Sequence, residues 1–310
     1  MDSEPYCYPD NNETCIKIVR QTEILIVLYL SAGILFVATV FGNLFVIITV
    51  SHFRELHTPT NLLILSLAVA DFLGGFLILP FQFIEIIENC WYFGDAFCPY
   101  FQTYFYFLLF VSVLNLLSIS FDRYFAVCNP FFYSRYVTNS VAGTCIIFIW
   151  LLAFFYSYAF VIHKGFVVTF LCVGMCRFYH SLYWWIIHHV LTFLLPMMII
   201  ICLYSVIFVT ARRHVKAINC MMQETKSADS KNKPLSKASE IKAAKTLGIV
   251  IIAYIVLCSP GFMFFLVQIF FKTNLKDLPT VQLVVSYLIA LNFCIDPIIY
   301  ISLFFFNCKT

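Results

Sequence analysis

Seven long apolar runs dominate the 310 residues of this chain, and each is long enough to cross a lipid bilayer as a helix. The chain is 62% hydrophobic and 11% charged, whereas a soluble domain carries about 25% charge, so polar residues are too few to cover its surface. Backbone groups in lipid must bond within their own span, and barrel strands would be far shorter. The sequence therefore predicts an all-α membrane protein, a seven-transmembrane helix bundle with spans at residues 22–50, 60–87, 97–128, 140–163, 182–211, 243–271 and 280–305.

Lysine and arginine are distributed unequally between the segments that connect these runs. Thirteen lie on one side, nine of them within residues 212–245, and six lie on the other. Because the more basic side of a membrane protein faces the cytosol, we expect the N-terminus to be extracellular. We expect an extracellular tail at 1–21, one membrane domain at 22–305 with a flexible cytosolic loop at 214–240, and a short cytoplasmic tail at 306–310.

Six of the thirteen cysteines fall on the predicted outer side: Cys7, Cys15, Cys90, Cys98, Cys172 and Cys176. An even number of cysteines in an oxidising compartment predicts three disulfides, and the residues alone leave the pairing open. Asn12 begins the sequon Asn12-Glu13-Thr14 on the same outer tail, which predicts glycosylation there.

Several polar side chains lie near the middle of the runs, where each needs a partner or a function. One interpretation is hydrogen bonding between helices. The other is a hydrated site in which Asp71 and Asp296 share a sodium ion or a proton, because hard cations prefer oxygen ligands. The two interpretations are compatible, and both stay open for the set Asp71, Ser112, Asn292 and Asp296.

The third run ends in the triplet Asp122-Arg123-Tyr124. An arginine at such a boundary is usually an anchor that reaches the membrane surface. Here the preceding acid neutralises the arginine, and an anchor requires no such triplet, so the pattern favours a cytosolic switch of a signalling receptor. Prolines 80, 196, 260 and 297 interrupt four other runs and offer kinks or hinges.

These motifs occur in an order and register that resembles the rhodopsin-like (class A) G-protein-coupled receptors over nearly the whole chain. The residues that carry the resemblance are Gly42-Asn43, Leu67-Ala68-Val69-Ala70-Asp71, Cys98, Asp122-Arg123-Tyr124, Trp150, Pro196 with Tyr204, Pro260, and Asp296-Pro297-Ile298-Ile299-Tyr300. Within that class the chain resembles the trace amine-associated receptors, most closely at residues 52–61, 90–95, 172–176 and 242–249.

The resemblance implies a disulfide between Cys98 and Cys176 and a bridge from the N-terminal tail to Cys172. We assign the remaining pairs as Cys7–Cys172 and Cys15–Cys90. Closing the tail over the mouth of a pocket would limit the entropy of the loops around it.

The resemblance also implies how the triplet works as a switch. Arg123 is held at rest by Asp122 and by Glu240. The alternative is that Glu240 is a solvated loop residue, and the restraint is favoured because an arginine near lipid needs a partner. Loss of that restraint lets the sixth helix move outward and opens a cleft for a G protein. The full set of switch residues is Asp122, Arg123, Tyr124, Tyr204, Glu240, Cys258, Pro260, Asp296, Pro297 and Tyr300.

The chain departs from its family where an amine would bind. Amine receptors carry an aspartate eighteen residues before the arginine of the triplet, and here that position is Phe105. A standard monoamine ligand is therefore not expected. Glu85 is a candidate for holding a cation, and the two histidines are candidates for binding an acid or sensing pH. The predicted lining is Gln82, Glu85, Phe105, Tyr106, His188, His189, Thr192, Phe262, Phe265, Ser286 and Tyr287.

We therefore expect a plasma-membrane receptor that binds a small extracellular molecule and activates a heterotrimeric G protein. By resemblance this is the type that raises cyclic AMP in olfactory neurons. The alternative is an ion or proton transporter that uses Asp71 and Asp296. No nucleophile–base set suggests an enzyme, no lysine lies in the seventh run to hold retinal, and neither a nucleic-acid partner nor a cofactor beyond the sodium ion is expected.

Overall fold

The computed structural model describes residues 6–9, 13–162, 172–176, 182–224, 234–271 and 278–307. The side chains of 161–162, 182, 185, 214–224, 234–246, 265, 268–271, 278 and 298–307 lie outside that description. Across the described residues, seven helices contain stretches long and apolar enough to cross a membrane, which confirms the predicted bundle. They are α1 (Thr22–His52), α2 (Pro59–Glu88), α3 (Phe97–Cys128), α4 (Asn139–Ile162), α5 (Leu182–His189, Val190–Leu194 and Leu195–Glu224), α6 (Pro234–Phe271) and α7 (Leu278–Asn307).

Helices extend into the segment that the sequence predicts to be a flexible loop. α5 continues through Glu224 and α6 begins at Pro234, so most of 214–240 is helical. The residues there include many good helix formers such as alanine, lysine and methionine, which explains the extension. The residues between the two helices lie outside the description.

Widened, π-helical turns precede two of the predicted kinking prolines. Gly74–Ile78 lies before Pro80 in α2, and Val190–Leu194 lies before Pro196 in α5. A proline has no N–H for the carbonyl four residues earlier, and that carbonyl falls within the π-helical turn in both helices. The irregular turns are therefore a consequence of the prolines.

The other two prolines leave carbonyls that side chains satisfy. Pro297 removes the helical donor for the carbonyl of Phe293, and Asn43 Nδ2 donates to that oxygen from α1 at 3.0 Å. Pro260 likewise frees the carbonyl of Val256, which accepts from Ser259 Oγ at 3.5 Å. The Asn43 bond joins α1 to α7 beside the Asp296-Pro297 pair.

Glycine at position 42 permits this close approach of α1 and α7. A Cβ atom at Gly42 would lie 2.9 Å from Cγ of Pro297, closer than carbon atoms approach in proteins. The main apolar cluster fills the bundle next to this joint, with fully buried side chains from α1, α2, α3, α5 and α6 that include Val46, Leu67, Leu116, Ile200 and Val250. Burial of these side chains fixes the helices that carry the polar residues.

A disulfide-linked cap closes the end of the bundle at which α1 begins. We define the cap as residues 6–9, 13–20, 89–96 and 172–176. The tail folds back on itself, with Cys7 N donating to Cys15 O at 2.9 Å, and its second half runs beside the 172–176 loop, where Cys15 N donates to Val173 O at 2.9 Å. Gly174 has a φ of +93°, which residues with a side chain rarely adopt, and a Cβ there would lie 3.0 Å from Cβ of Cys7.

The cap corrects the predicted pairing of two disulfides. The structure contains Cys98–Cys176 as expected, but the tail cysteines form Cys7–Cys90 and Cys15–Cys172, not Cys7–Cys172 and Cys15–Cys90. The reason is the register of the fold-back, because it places Cys15 beside the 172–176 loop and leaves Cys7 on the side of α2. The predicted glycosylation site, Asn12, lies outside the described residues.

Candidate functional site

Arg123 and Asp122 form a buried ion pair at the end of α3 farthest from the cap. Each residue is 5% exposed. Arg123 Nη2 lies 2.6 Å from Asp122 Oδ2, and Arg123 Nε donates to the same oxygen at 2.9 Å. An arginine that anchored the chain to the membrane surface would lie in water or among headgroups, so the anchor interpretation does not fit.

Two further residues hold this pair, and the sequence analysis missed both. The hydroxyl of Thr60, in the first turn of α2, donates to Asp122 Oδ2 at 2.7 Å and accepts from Arg123 Nη2. Thr58 caps α2 through the N–H of Asn61, and Pro59 fixes the first turn, so Thr60 faces α3. No sequence signal marks the partner of Thr60, because the contact joins residues far apart in the chain.

Tyr133 bonds the pair from the other side. It lies on the short helix Pro130–Tyr136, which we call the loop helix, and its hydroxyl donates to Asp122 Oδ1 at 3.1 Å. Burial raises the pKa of the Tyr133 phenol, so it remains a donor at neutral pH. Asp122 thus accepts from α2, α3 and the loop helix at once.

Tyr204 brings α5 and α6 beside this network. It packs against the cluster formed by Val127 and Ile207, and its ring lies 3.3 Å from the position that a Cβ at Gly248 would occupy. The Tyr204 hydroxyl is buried and has no hydrogen-bond partner within the described part of the chain. The side chains of Glu240 and Tyr300, predicted to act with Arg123, lie outside the description.

The loop helix also presents an apolar surface that the sequence analysis missed. Phe131 is 90% exposed, and Phe132 and Tyr136 lie partly open beside it. Pro130 directly after α3 signalled the start of a helix, but the exposure of Phe131 depends on how the loop helix docks through Tyr133. The exposed Phe131 side chain thus lies on the same short helix as Tyr133, which bonds to the ion pair.

The four predicted sodium residues are all buried in the bundle, and two of them bond to each other. Ser112 Oγ donates to Asp71 Oδ1 at 3.1 Å, while Asp71 Oδ2 is buried without a hydrogen-bond partner among the described residues. Asp71, Asn292 and Asp296 are all 3% exposed or less. The orphaned oxygen fits a site that receives a cation, and a carboxyl–hydroxyl set supplies oxygen ligands of the kind that sodium prefers.

His188 sits in an aromatic enclosure between α3, α4 and α5. It stacks on Phe160 with ring centroids 4.3 Å apart, meets the edge of Tyr106 at 5.1 Å, and its Nδ1 lies 3.1 Å from the Tyr156 hydroxyl. The ring of Phe105, at the position of the missing acid, has its centroid 5.5 Å from that of Tyr106. Aromatic rings therefore take the place of the charge that an amine receptor carries on α3.

The remaining predicted lining residues of α5 and α6 point in several directions. His189 faces Phe262 on α6 with ring centroids 6.1 Å apart, and Phe193 stacks on Phe262 with ring centroids 5.3 Å apart. Thr192 Oγ1 donates to its own helix at the carbonyl of His188. Deeper on α6, Cys258 packs against the main apolar cluster just before Pro260, and the side chain of Phe265 lies outside the description.

The Tyr287 side chain bonds to α1, although the sequence predicted that it lines the ligand pocket. Its hydroxyl donates to the carbonyl of Leu28 at 2.7 Å and accepts from Ser31 Oγ at 3.2 Å, while its ring packs against Phe83. It therefore fixes α7 to α1. Ser286, the preceding residue, is buried at 7% exposure.

A cleft opens beneath the cap between α2, α7 and the 172–176 loop. Its lining includes Glu85 of α2, Asn89 directly after α2, Trp91, Gly174 and Met175 of the cap, and Gln282 of α7. Gln82 lies one turn below Glu85 on the same side of α2, and it is 9% exposed. Two of the predicted ligand residues thus lie together at the cap end of one helix.

Comparison with known proteins places these features in context. Residues 42–300 match the family described as 7 transmembrane receptor (rhodopsin family). Trace amine-associated receptor 13c of Danio rerio is 38% identical over 84% of this chain and 78% of its own. Trace amine-associated receptor 3 of Mus musculus is 38% identical over 79% and 73%, and trace amine-associated receptor 9 of Homo sapiens is 34% identical over 95% and 86%.

Proposed function

We propose a signalling mechanism for this chain, which belongs to the rhodopsin family of seven-transmembrane receptors and, within it, to the trace amine-associated receptors. It is a G-protein-coupled receptor and a multi-pass protein of the plasma membrane, not an enzyme. In the proposed mechanism, a small extracellular molecule binds below the cap, and a heterotrimeric G protein of the type that raises cyclic AMP binds at the opposite end.

The observation that carries the proposal is the burial of Arg123 in a closed network. Asp122, Thr60 and Tyr133 bond to one another or to Arg123, so the guanidinium is held in a buried position. A buried ion pair owes little net stability to its charges, but leaving one partner buried without the other costs about 3–5 kcal/mol in soluble proteins. Such a network suits a switch with two discrete states.

Activation transfers Arg123 from this network to partners on α5, α6 and the G protein. Tyr204 is the candidate partner on α5, because its hydroxyl is buried beside α3 and has no hydrogen-bond partner among the described residues. Gly248 lets α6 rest against the Tyr204 ring, so outward movement of α6 frees Tyr204 to turn toward Arg123. The exposed Phe131 on the loop helix then contributes an apolar contact to the G protein.

The ligand of this receptor is not a monoamine held by α3. Phe105 brings no charge to the position of the usual aspartate, and its neighbour Tyr106 packs around His188. The pocket between α3 and α5 therefore favours an apolar or aromatic group of the ligand.

A sodium ion in the middle of the bundle is a second part of the proposal. Asp71, Ser112, Asn292 and Asp296 would hold it, and the buried Oδ2 of Asp71, which has no hydrogen-bond partner among the described residues, supports this assignment. When bound, the ion would neutralise a buried carboxylate. A transporter using Asp71 and Asp296 is not favoured, because the chain belongs to a receptor family.

Substitution of Arg123 tests the proposal. Arg123→Ala is expected to abolish cyclic AMP production in cells while the receptor still reaches the surface. The control is Arg135→Ala, which removes an arginine from the loop helix outside the network. Retained signalling by Arg123→Ala at normal surface expression would refute the role given to Arg123.

A further inference from the structure

We propose that Glu85 and Gln82 form a cation subsite at the cap end of α2, which receives the ammonium group of an amine ligand in place of the missing acid on α3. The inference rests on the proposed receptor function and assigns the residues that hold the charged end of the ligand. It places the charged end of the ligand under the cap and its apolar end toward Phe105.

The subsite is a column of polar groups that leads from the cleft into the bundle. Glu85 and Gln282 line the cleft from α2 and α7. One helical turn deeper, Gln82 and Ser286 follow on the same two helices at 9% and 7% exposure. Because α2 and α7 run in opposite directions, Glu85 lies at about the depth of Gln282, and Gln82 lies at about the depth of Ser286.

An unsatisfied acceptor at the inner end of the column points to a donor ligand. Gln82 Oε1 is buried and has no hydrogen-bond partner within the described part of the chain. A buried amide oxygen without a donor costs about 1–3 kcal/mol, and an ammonium group that reached it would recover that cost. Glu85 supplies the negative charge, and an ammonium with several N–H donors can bond to both residues.

Aromatic side chains connect the subsite to the position of the missing acid. Trp91 lines the cleft, and it shares one apolar cluster with Phe101 and Phe105 of α3. A ligand with its ammonium at Glu85 would therefore extend an apolar body along aromatic faces toward α3.

Ligand-induced stabilisation of the purified full-length receptor tests the subsite without any G protein. The probes are 2-phenylethylamine and cyclohexylamine, each compared with the neutral alcohol of the same shape, 2-phenylethanol and cyclohexanol. The measurement is the rise in unfolding temperature with probe concentration, which gives an apparent Kd for each variant. The variants are Glu85→Gln, Glu85→Asp, Gln82→Leu and the control Asp95→Asn, which removes an exposed acid from the cap.

The subsite predicts that at least one amine stabilises the wild type while its alcohol does not. Glu85→Gln should weaken that amine at least tenfold, or about 1.4 kcal/mol. Glu85→Asp should retain part of the affinity, Gln82→Leu should lose severalfold, and Asp95→Asn should change it less than about twofold, because exposed charges contribute little. Unfolding temperatures without ligand verify that each variant folds.

Three outcomes would overturn the subsite. They are equal amine binding by Glu85→Gln and the wild type, an equal loss in Asp95→Asn, and no stabilisation of the wild type by either amine. The receptor function is tested separately, because Arg123→Ala should lose signalling yet keep its amine stabilisation. A receptor that signals but fails the amine test would therefore refute the subsite alone.

Discussion

Replacing Asn43 by leucine should destabilise the receptor, because one carbonyl on α7 loses its hydrogen-bond donor. Asn43 Nδ2 donates to the carbonyl of Phe293, which has no helical donor because Pro297 lacks an N–H. Leaving that acceptor unpaired costs about 1–3 kcal/mol, and polar bonds between membrane helices average about 0.6 kcal/mol. Asn43 Oδ1 is itself buried without a described partner, which leucine relieves. We therefore expect a net loss of about 1 kcal/mol.

A double-mutant cycle separates this bond from general packing. In Pro297→Ala, the N–H of the new alanine can donate to the Phe293 carbonyl, so Asn43→Leu should cost little in that background. The expected coupling energy is about 1 kcal/mol. The assay is denaturant or thermal unfolding of the purified receptor in detergent, with all four variants measured under one condition.

Asn115 provides the matched control. Its Nδ2 donates to Val111 O within α3, a carbonyl that also has its helical N–H partner. Asn115→Leu should therefore show no coupling to Pro297→Ala. An Asn43→Leu cost that is equal in the wild type and in Pro297→Ala would refute the argument that the proline creates the need for Asn43.

Three further predictions concern the pocket and the cap. Phe105→Asp should create or strengthen amine responses in a cyclic AMP assay. The gain should be about tenfold or more if the new carboxylate forms a charge-assisted bond worth about 1.5–3 kcal/mol. No gain against an amine panel at confirmed surface expression would count against the pocket assignment. Mass spectrometry of unreduced peptides should find Cys7 linked to Cys90 and Cys15 to Cys172, and a Cys7–Cys172 peptide would contradict the cap. The hydrogen bond to Glu88 raises the pKa of Lys17. The contribution of this bond to stability is therefore complete below the normal lysine pKa near 10.4 and is lost only as pH rises through the higher pKa of the folded state. The difference in unfolding temperature between the wild type and Lys17→Met should stay constant between about pH 6 and about pH 9, and a difference that vanished in that range would show that Lys17 has no such bond.

The sequence predicted the bundle because its strongest constraint is local. Twenty or so apolar residues in a row must form a helix in lipid, whatever their neighbours are. The triplet Asp122-Arg123-Tyr124 and the four kinking prolines were visible for the same reason, since each motif is contiguous. The Cys98–Cys176 bridge followed from resemblance and is present in the structure.

Residues that act through distant partners were not predictable in this way. Thr60 looks like an ordinary residue of a first helical turn, yet it bonds to both members of the Asp122–Arg123 pair. The tail disulfides depend on the register of the tail against the 172–176 loop, and no local pattern encodes that register. The assigned pairing was therefore wrong even though the six cysteines were identified correctly.

In the proposed mechanism, Asp122 and its partners keep Arg123 inactive until a ligand binds. The direct measurement is basal cyclic AMP in cells that express the wild type, Asp122→Asn and Asp122→Asn with Arg123→Ala at matched surface levels. Asp122→Asn should raise basal cyclic AMP severalfold, and adding Arg123→Ala should return it to the level of cells without receptor. Unchanged basal cyclic AMP in Asp122→Asn, or a raised level that persists without Arg123, would contradict the claim.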